Sequence, residues 1–81
     1  MNIVIELHGV LCRLAGNDEL SLELPQASIV ADALAVLEQR LPTLAEHLPA
    51  TACAIGEEIV GRQHVLEDDT RLVLIPPVSG G

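Results

Sequence analysis

The sequence predicts an α+β domain in which a mixed sheet of about four to five strands carries one main helix packed on one face. Three observations lead there. Two runs near the start alternate apolar and polar residues, as half-buried strands do. A single stretch, Ile29 to Leu41, repeats its apolar residues at helical spacing. An apolar, β-branched run then returns just before the end of the chain.

From Asn2 to His8, Ile3, Ile5 and Leu7 fall on one face and Val4, Glu6 and His8 on the other. Gly9 to Asn17 reads as a loop, unusually apolar through Val10, Leu11 and Leu14, and is expected to fold back onto the body. A second alternating run sets Leu20, Leu22 and Leu24 against Glu19, Ser21 and Glu23, and Pro25 closes it. The two runs are expected to pair as antiparallel neighbours sharing one aliphatic face. Ser28 has the hydroxyl of an N-cap, and Asp32 lies near the helix start, where the dipole favours an acid. Ile29, Ala33, Leu34, Leu37 and Leu41 follow at helical spacing, and Pro42 biases Leu41 out of the helical region. Thr43 to Leu48 suits a short extra helical turn. Thr51 to Ile55 reads as a strand, Gly56-Glu57 as a turn and Ile59-Val60 as a brief extended piece. Gly61 to Asp69 is predicted to be loop, anchored by Val65 and Leu66, before a last strand from Arg71 to Ile75. On that strand Leu72 and Leu74 are expected to face the helix, leaving Val73 and Ile75 on the open side near Val4 and His8 as an apolar docking patch.

Composition narrows the function. The chain has 81 residues, enough for one domain, and its 49% hydrophobic content argues against disorder. A net charge of −8, with four arginines and no lysine, excludes nucleic acid as a partner, because phosphate binding requires concentrated cations. There is no Phe, Tyr or Trp to stack on bases or sugars, so the core is aliphatic. No apolar run approaches the roughly 18 residues of a membrane span, so no membrane partner is expected. Cys12 and Cys53 stand far apart without a CxxC motif, which fits reduced thiols and a cytoplasmic location. Cys53 is expected to pack as a small hydrophobe. His8, His47 and His64 are scattered, and no metal site is expected. Asp18-Glu19 and Glu67-Asp68-Asp69 read as solvated turns able to meet basic groups on a partner.

The last six residues, Pro76-Pro77-Val78-Ser79-Gly80-Gly81, divide the chain into a folded part, 1–75, and a flexible tail, 76–81. Proline cannot join a sheet ladder, so Pro76 and Pro77 stop the strand and turn the tail away. Gly80 and Gly81 lack Cβ and can pass a slot too narrow for a side chain. Six extended residues reach about 20 Å at ~3.3–3.6 Å each, far enough to deliver a carboxylate into another protein's active site.

The order of elements, the length and this ending resemble the ubiquitin-like sulfur carriers of the ThiS/MoaD type. The molybdopterin synthase small subunits, the MoaD family, are the nearest branch. Pro76 and Pro77 match that family's proline pair, Val78 and Ser79 its variable residues, and Gly80 and Gly81 its terminal pair. Leu66-Glu67-Asp68-Asp69-Thr70 is similar to its acidic turn before the last strand. Two features depart from the pattern. Aromatics common in the family are replaced by Ile75 and His8, and Asp69 stands where a glycine is usual. Asp tolerates the left-handed turn that such a glycine serves.

The resemblance implies a ubiquitin-like β-grasp fold and a chain with no catalytic side chain of its own. Gly81 would be adenylated by an enzyme similar to ubiquitin E1, using ATP, and then thiocarboxylated by a sulfur donor protein; no cofactor would be bound. Gly80, Ser79, Val78, Pro77 and Pro76 would be recognised as the tail, and Ile75, Val73, His8 and Val4 as the partner interface. The large subunit of molybdopterin synthase would take the sulfur for the molybdopterin dithiolene, with two carriers and two large subunits in one complex. The alternatives are a carrier for a thiamine, cysteine or specialised-metabolite route, or a ubiquitin-like protein modifier.

Overall fold

The computed structural model describes residues 1–77 and has the predicted class. Five strands form one mixed sheet in the order β2-β1-β5-β3-β4. They are β1 (Asn2–Leu7), β2 (Glu19–Glu23), β3 (Ala52–Ile55), β4 (Glu58–Val60) and β5 (Thr70–Ile75). Two helices, α1 (Gly9–Ala15) and α2 (Val30–Arg40), contribute to one core with the sheet. The arrangement is a ubiquitin-like β-grasp.

The two alternating runs pair antiparallel as expected, with Ile3 opposite Leu22 and Ile5 opposite Leu20. β5 lies between them and the β3–β4 hairpin, parallel to β1 and antiparallel to β3. Ile3, Ile5, Leu7, Leu72 and Leu74 point from the central strands into the core, none more than 1% exposed. Val30, Ala33, Leu34 and Leu37 of α2 cover them. Cys53 is fully buried in β3, as its apolar setting suggested.

Four local expectations need correction. Gly9–Ala15 is a helix, not a loop. Gly9 and Gly16 bound it at φ of 56° and 76°, and the Gly16 N–H closes its end on the Cys12 carbonyl at 2.9 Å. Only Leu11 in it is buried, so seven residues yield no repeating apolar stripe. Ser28 is not the N-cap of α2: Ile29 holds that position, and the Ser28 hydroxyl donates to the Pro25 carbonyl at 2.7 Å. The first helical N–H groups are met instead from the 61–69 segment, Val30 by the His64 carbonyl and Ala31 by that of Arg62. Asp32 contributes from inside the helix, its carboxylate accepting the Ile29 N–H at 2.8 Å. The extra turn after α2 is two 3-10 turns, Pro42–Leu44 and Leu48–Ala50, burying Leu44 and Leu48. Finally, Leu66 is the apolar anchor of the 61–69 segment, whereas Val65 is 55% exposed and meets the body through a backbone bridge to Ile29.

The acidic turn before β5 is held to the start of β1. The Asp68 carboxylate accepts the Asn2 N–H at 2.7 Å, and the Asp69 N–H donates to the Asn2 carbonyl at 2.8 Å. Asp69 occupies the left-handed region at φ 63°, the geometry for which an aspartate can replace glycine. Asp69→Val is therefore expected to lower unfolding stability by about 1–2 kcal/mol, because a β-branched residue is disfavoured there. Asp69→Gly is expected to fall short of that loss, as read by urea denaturation.

Candidate functional site

The site sits where β5 leaves the sheet. Ile75 is the last residue of the ladder, opposite Ala52 of β3, and Pro76 follows half-buried with Pro77 exposed. Pro76 has no N–H to offer a further partner, so pairing stops there. The chain then passes over the start of α1. A Cβ on Gly9 would stand 3.3 Å from Pro76 Cγ, and Gly9 is already at φ +56°. Only glycine meets both demands, the left-handed backbone and the close approach of the proline ring. His8, Gly9, Val10 and Arg13 line one side of the resulting depression, and Ile75, Pro76 and Pro77 the other.

The register of the sheet defines its open face. One row runs Glu19, Glu6, Val73, Ala54, Ile59 across all five strands. A neighbouring row runs Ser21, Val4, Arg71. The face is thus charged over β2, β1 and the start of β5, and apolar over the end of β5, β3 and β4. Ile59 is 68% exposed and Ile75 42%.

The charged half is internally committed. Arg71 Nη1 donates to Glu19 Oε2 at 2.8 Å and to Glu6 Oε1 at 3.2 Å. His8 Nε2 and Glu6 Oε2 share a hydrogen bond of 2.6 Å. That bond foremost, and Arg71 beside it, hold the Glu6 carboxyl below its ordinary value despite some desolvation. In β3, burial pushes the Cys53 thiol up, with Arg62 opposing, which disfavours the thiolate. No group of three or more His, Cys, Asp or Glu among the described residues is placed to hold a metal ion.

The residues expected to form the interface are therefore split by the structure. His8 and Ile75 share the depression at the tail root. Val73 lies between Glu6 and Ala54, whereas Val4 is flanked by Ser21 and Arg71. The apolar ground extends from Val73 toward Ala54 and Ile59, not toward Val4. Ala54, Ile59, Gly9 and Arg13 were not singled out by sequence reasoning. Gly9 had a signal, since a glycine directly after a strand marks a backbone constraint. Ile59 had none, because a three-residue strand is too short to reveal its faces. Val78, Ser79, Gly80 and Gly81 lie outside the described residues.

Comparison with known proteins places this geometry in context. The sequence pattern of the ThiS family matches residues 5–81. The molybdopterin synthase sulfur carrier subunit of Arabidopsis thaliana is 31% identical over 68 residues, covering 84% of this chain and 71% of that protein. SAMP1 from Haloferax volcanii has the same fold across the full length of both chains, with a TM-score of 0.91 at 22% identity. Subunit 1 and subunit 2 of the molybdopterin-converting factor from Helicobacter pylori form a protein–protein complex. A chain of that complex, also 22% identical, matches with a TM-score of 0.69 over all of both chains. At these identities the two solved structures establish the fold.

Two outcomes follow from the geometry. Gly9→Ala is expected to lower stability by about 1–2 kcal/mol through the left-handed backbone alone, with the Pro76 contact adding to it, as read by urea denaturation. Because Glu6 is depressed in the fold, its contribution is present above its ordinary carboxylate range and is lost as pH falls through the depressed value. Glu6→Gln is thus expected to be less stable than the natural chain near neutral pH, with thermal melts converging on acidification.

Proposed function

The chain belongs to the ThiS family, among the ThiS/MoaD ubiquitin-like sulfur carriers, and from that premise we propose that it carries sulfur as a thiocarboxylate on Gly81. The observation that carries this reading is the span of the family match, which runs past the last strand and through Gly80 and Gly81. In this reading the chain's part is to be held and presented.

A carboxylate is a poor acyl donor because its oxygen is a poor leaving group. In the proposed sequence the Gly81 carboxylate attacks the α-phosphate of ATP on an E1-like enzyme, and pyrophosphate departs. A sulfide-level nucleophile, brought by a sulfur donor protein, then attacks the acyl carbon; AMP leaves, and a C–S bond replaces the C–O bond to phosphate. The thiocarboxylate sulfur, ionised at neutral pH, is the nucleophile passed on. ATP is consumed by the activating enzyme and is no cofactor of this chain. The apolar ground of Val73, Ile59 and Ile75, around the buried Ala54, would be the docking face, and the tail from Pro76 the part that enters the partner.

Among possible acceptors, the Arabidopsis relative and the Pro76-Pro77 pair support the molybdopterin branch, with the large subunit of the synthase as receiving partner. The complex formed by the Helicobacter pylori subunits is of the kind this reading requires. A carrier for another sulfur pathway uses the same chemistry with a different acceptor. A second reading, a protein modifier, follows from the same acyl-adenylate attacked by an amine; the small archaeal modifier proteins share the fold. This chain has no lysine, so it cannot build isopeptide-linked chains on itself.

Intact-mass analysis after incubation with an activating enzyme, ATP and a sulfur source is expected to show one oxygen replaced by sulfur at Gly81. An unchanged mass would refute the carrier. Immunoblots of cell extracts separate the readings, a single small band for the carrier and a ladder of adducts for the modifier. Gly80→Val is expected to abolish activation while leaving the melting temperature unchanged, because a side chain there would block a narrow cleft.

A further inference from the structure

The chain is strongly acidic, and its few cations are unevenly spent. Arg40 Nη1 donates to the Ser21 carbonyl at 3.0 Å. Arg62 Nη2 donates to the Leu48 carbonyl at 2.7 Å, and its Nη1 faces Cys53 Sγ at 3.7 Å. Arg71 is held between Glu19 and Glu6. Arg13, exposed on α1, makes no hydrogen bond or ion pair with any described residue. It lines the depression of about 410 Å³ at the tail root, together with His8, Ile75, Pro76 and Pro77. Among the described residues, no Asp or Glu lines that depression. The acids nearest in the sheet, Glu6 and Glu19, line a separate one with Asp18, where Arg71 engages both and His8 engages Glu6. In a chain of net charge −8, the depression where the tail emerges is thus a local exception, lined by Arg13 and, among the described residues, by no carboxylate.

We propose that Arg13 receives a carboxylate side chain at the mouth of the cleft through which the adenylating enzyme takes the tail. This rests on the carrier reading above, and it adds the partner chemistry that seats the tail root. Every version of that reading, carrier or modifier, passes first through adenylation, which is why this enzyme is the occupant. The anion is a protein carboxylate and not the nucleotide. From Pro77 to Gly81 an engaged, extended tail spans roughly 13–14 Å, beyond the reach of an arginine beside Pro77. A carboxylate matches the guanidinium in geometry and gains specificity by excluding partners whose rim is basic. The other acidic surfaces of the chain repel such a rim, so Arg13 also fixes the orientation of docking.

The test is ATP–pyrophosphate exchange by the activating enzyme, with the full chain as substrate in natural, Arg13→Lys, Arg13→Gln and Arg13→Glu forms. Arg13→Gln is expected to raise KM for the chain about fivefold, within the range of an exposed ion pair. Arg13→Glu is expected to raise it about tenfold or more, and Arg13→Lys to retain most of the affinity, with kcat unchanged throughout. The salt dependence of KM is expected to flatten in Arg13→Gln, an effect that a purely structural role would not produce. Equal KM values for the natural chain and Arg13→Glu would overturn the proposal while leaving the carrier reading intact. A defect confined to binding a synthase large subunit, with adenylation normal, would overturn it equally. A natural chain that supports no exchange would sink the carrier reading, and this inference with it.

Discussion

The parallel pairing of β5 with β1 sets where the chain can leave the sheet. Leu72 lies between Ile5 and Ile55, and Leu74 between Leu7 and Cys53, so the last strand is locked on both edges by residues that face the core. A slip of one residue would turn Leu72 and Leu74 to solvent and Val73 inward, which a fully buried aliphatic core does not tolerate. The exit at Ile75 is therefore fixed by packing. Pro76 ends the ladder and Gly9 makes room for its ring, so a hydrophobic constraint at the centre of the domain becomes a direction at its edge.

The same register divides the outer face of the sheet. Over β2 and β1 the surface is acidic, with Arg71 bridging two carboxylates, and over β3 and β4 it is aliphatic. The two halves suit different work. The ionic half engages its own charges, while on the aliphatic half Ile59 and Ile75 stand exposed. With no aromatic residue in the chain, any contact area there would come from Ile, Val and Ala. Such side chains contribute burial without the stacking and hydrogen bonding that Tyr or Trp bring to an interface.

Long-range periodicity made most of this fold legible from the residues alone. β1, β2 and α2 each rest on three or more apolar residues at one spacing and β5 on a continuous apolar run, and each lies within a residue or two of its expected bounds. What escaped was decided by contacts distant in sequence. α1 is helical because glycine closes both ends and Leu11 reaches the core, and one buried residue makes no pattern. Ser28 looked like a cap because local chemistry favours it, but carbonyls from more than thirty residues away took that role. The tail root was legible from its prolines. The split of the open face was not, since it depends on which strand lies beside which, and the alternation of one strand cannot say that.

The first turn of α2 is closed by the segment leading into β5, with Val30 bonded to His64, Ala31 to Arg62, and Leu66 returning to the Ser28 carbonyl at 2.8 Å. Helix start and distant loop are thus one cooperative unit: neither can open without exposing the other's amides to solvent. That segment also feeds directly into the acidic turn and β5. A partner pulling on the exposed end of β5 would load a strand whose upstream anchor is the helix, giving the domain a mechanical backstop against being unravelled while its terminus is handled.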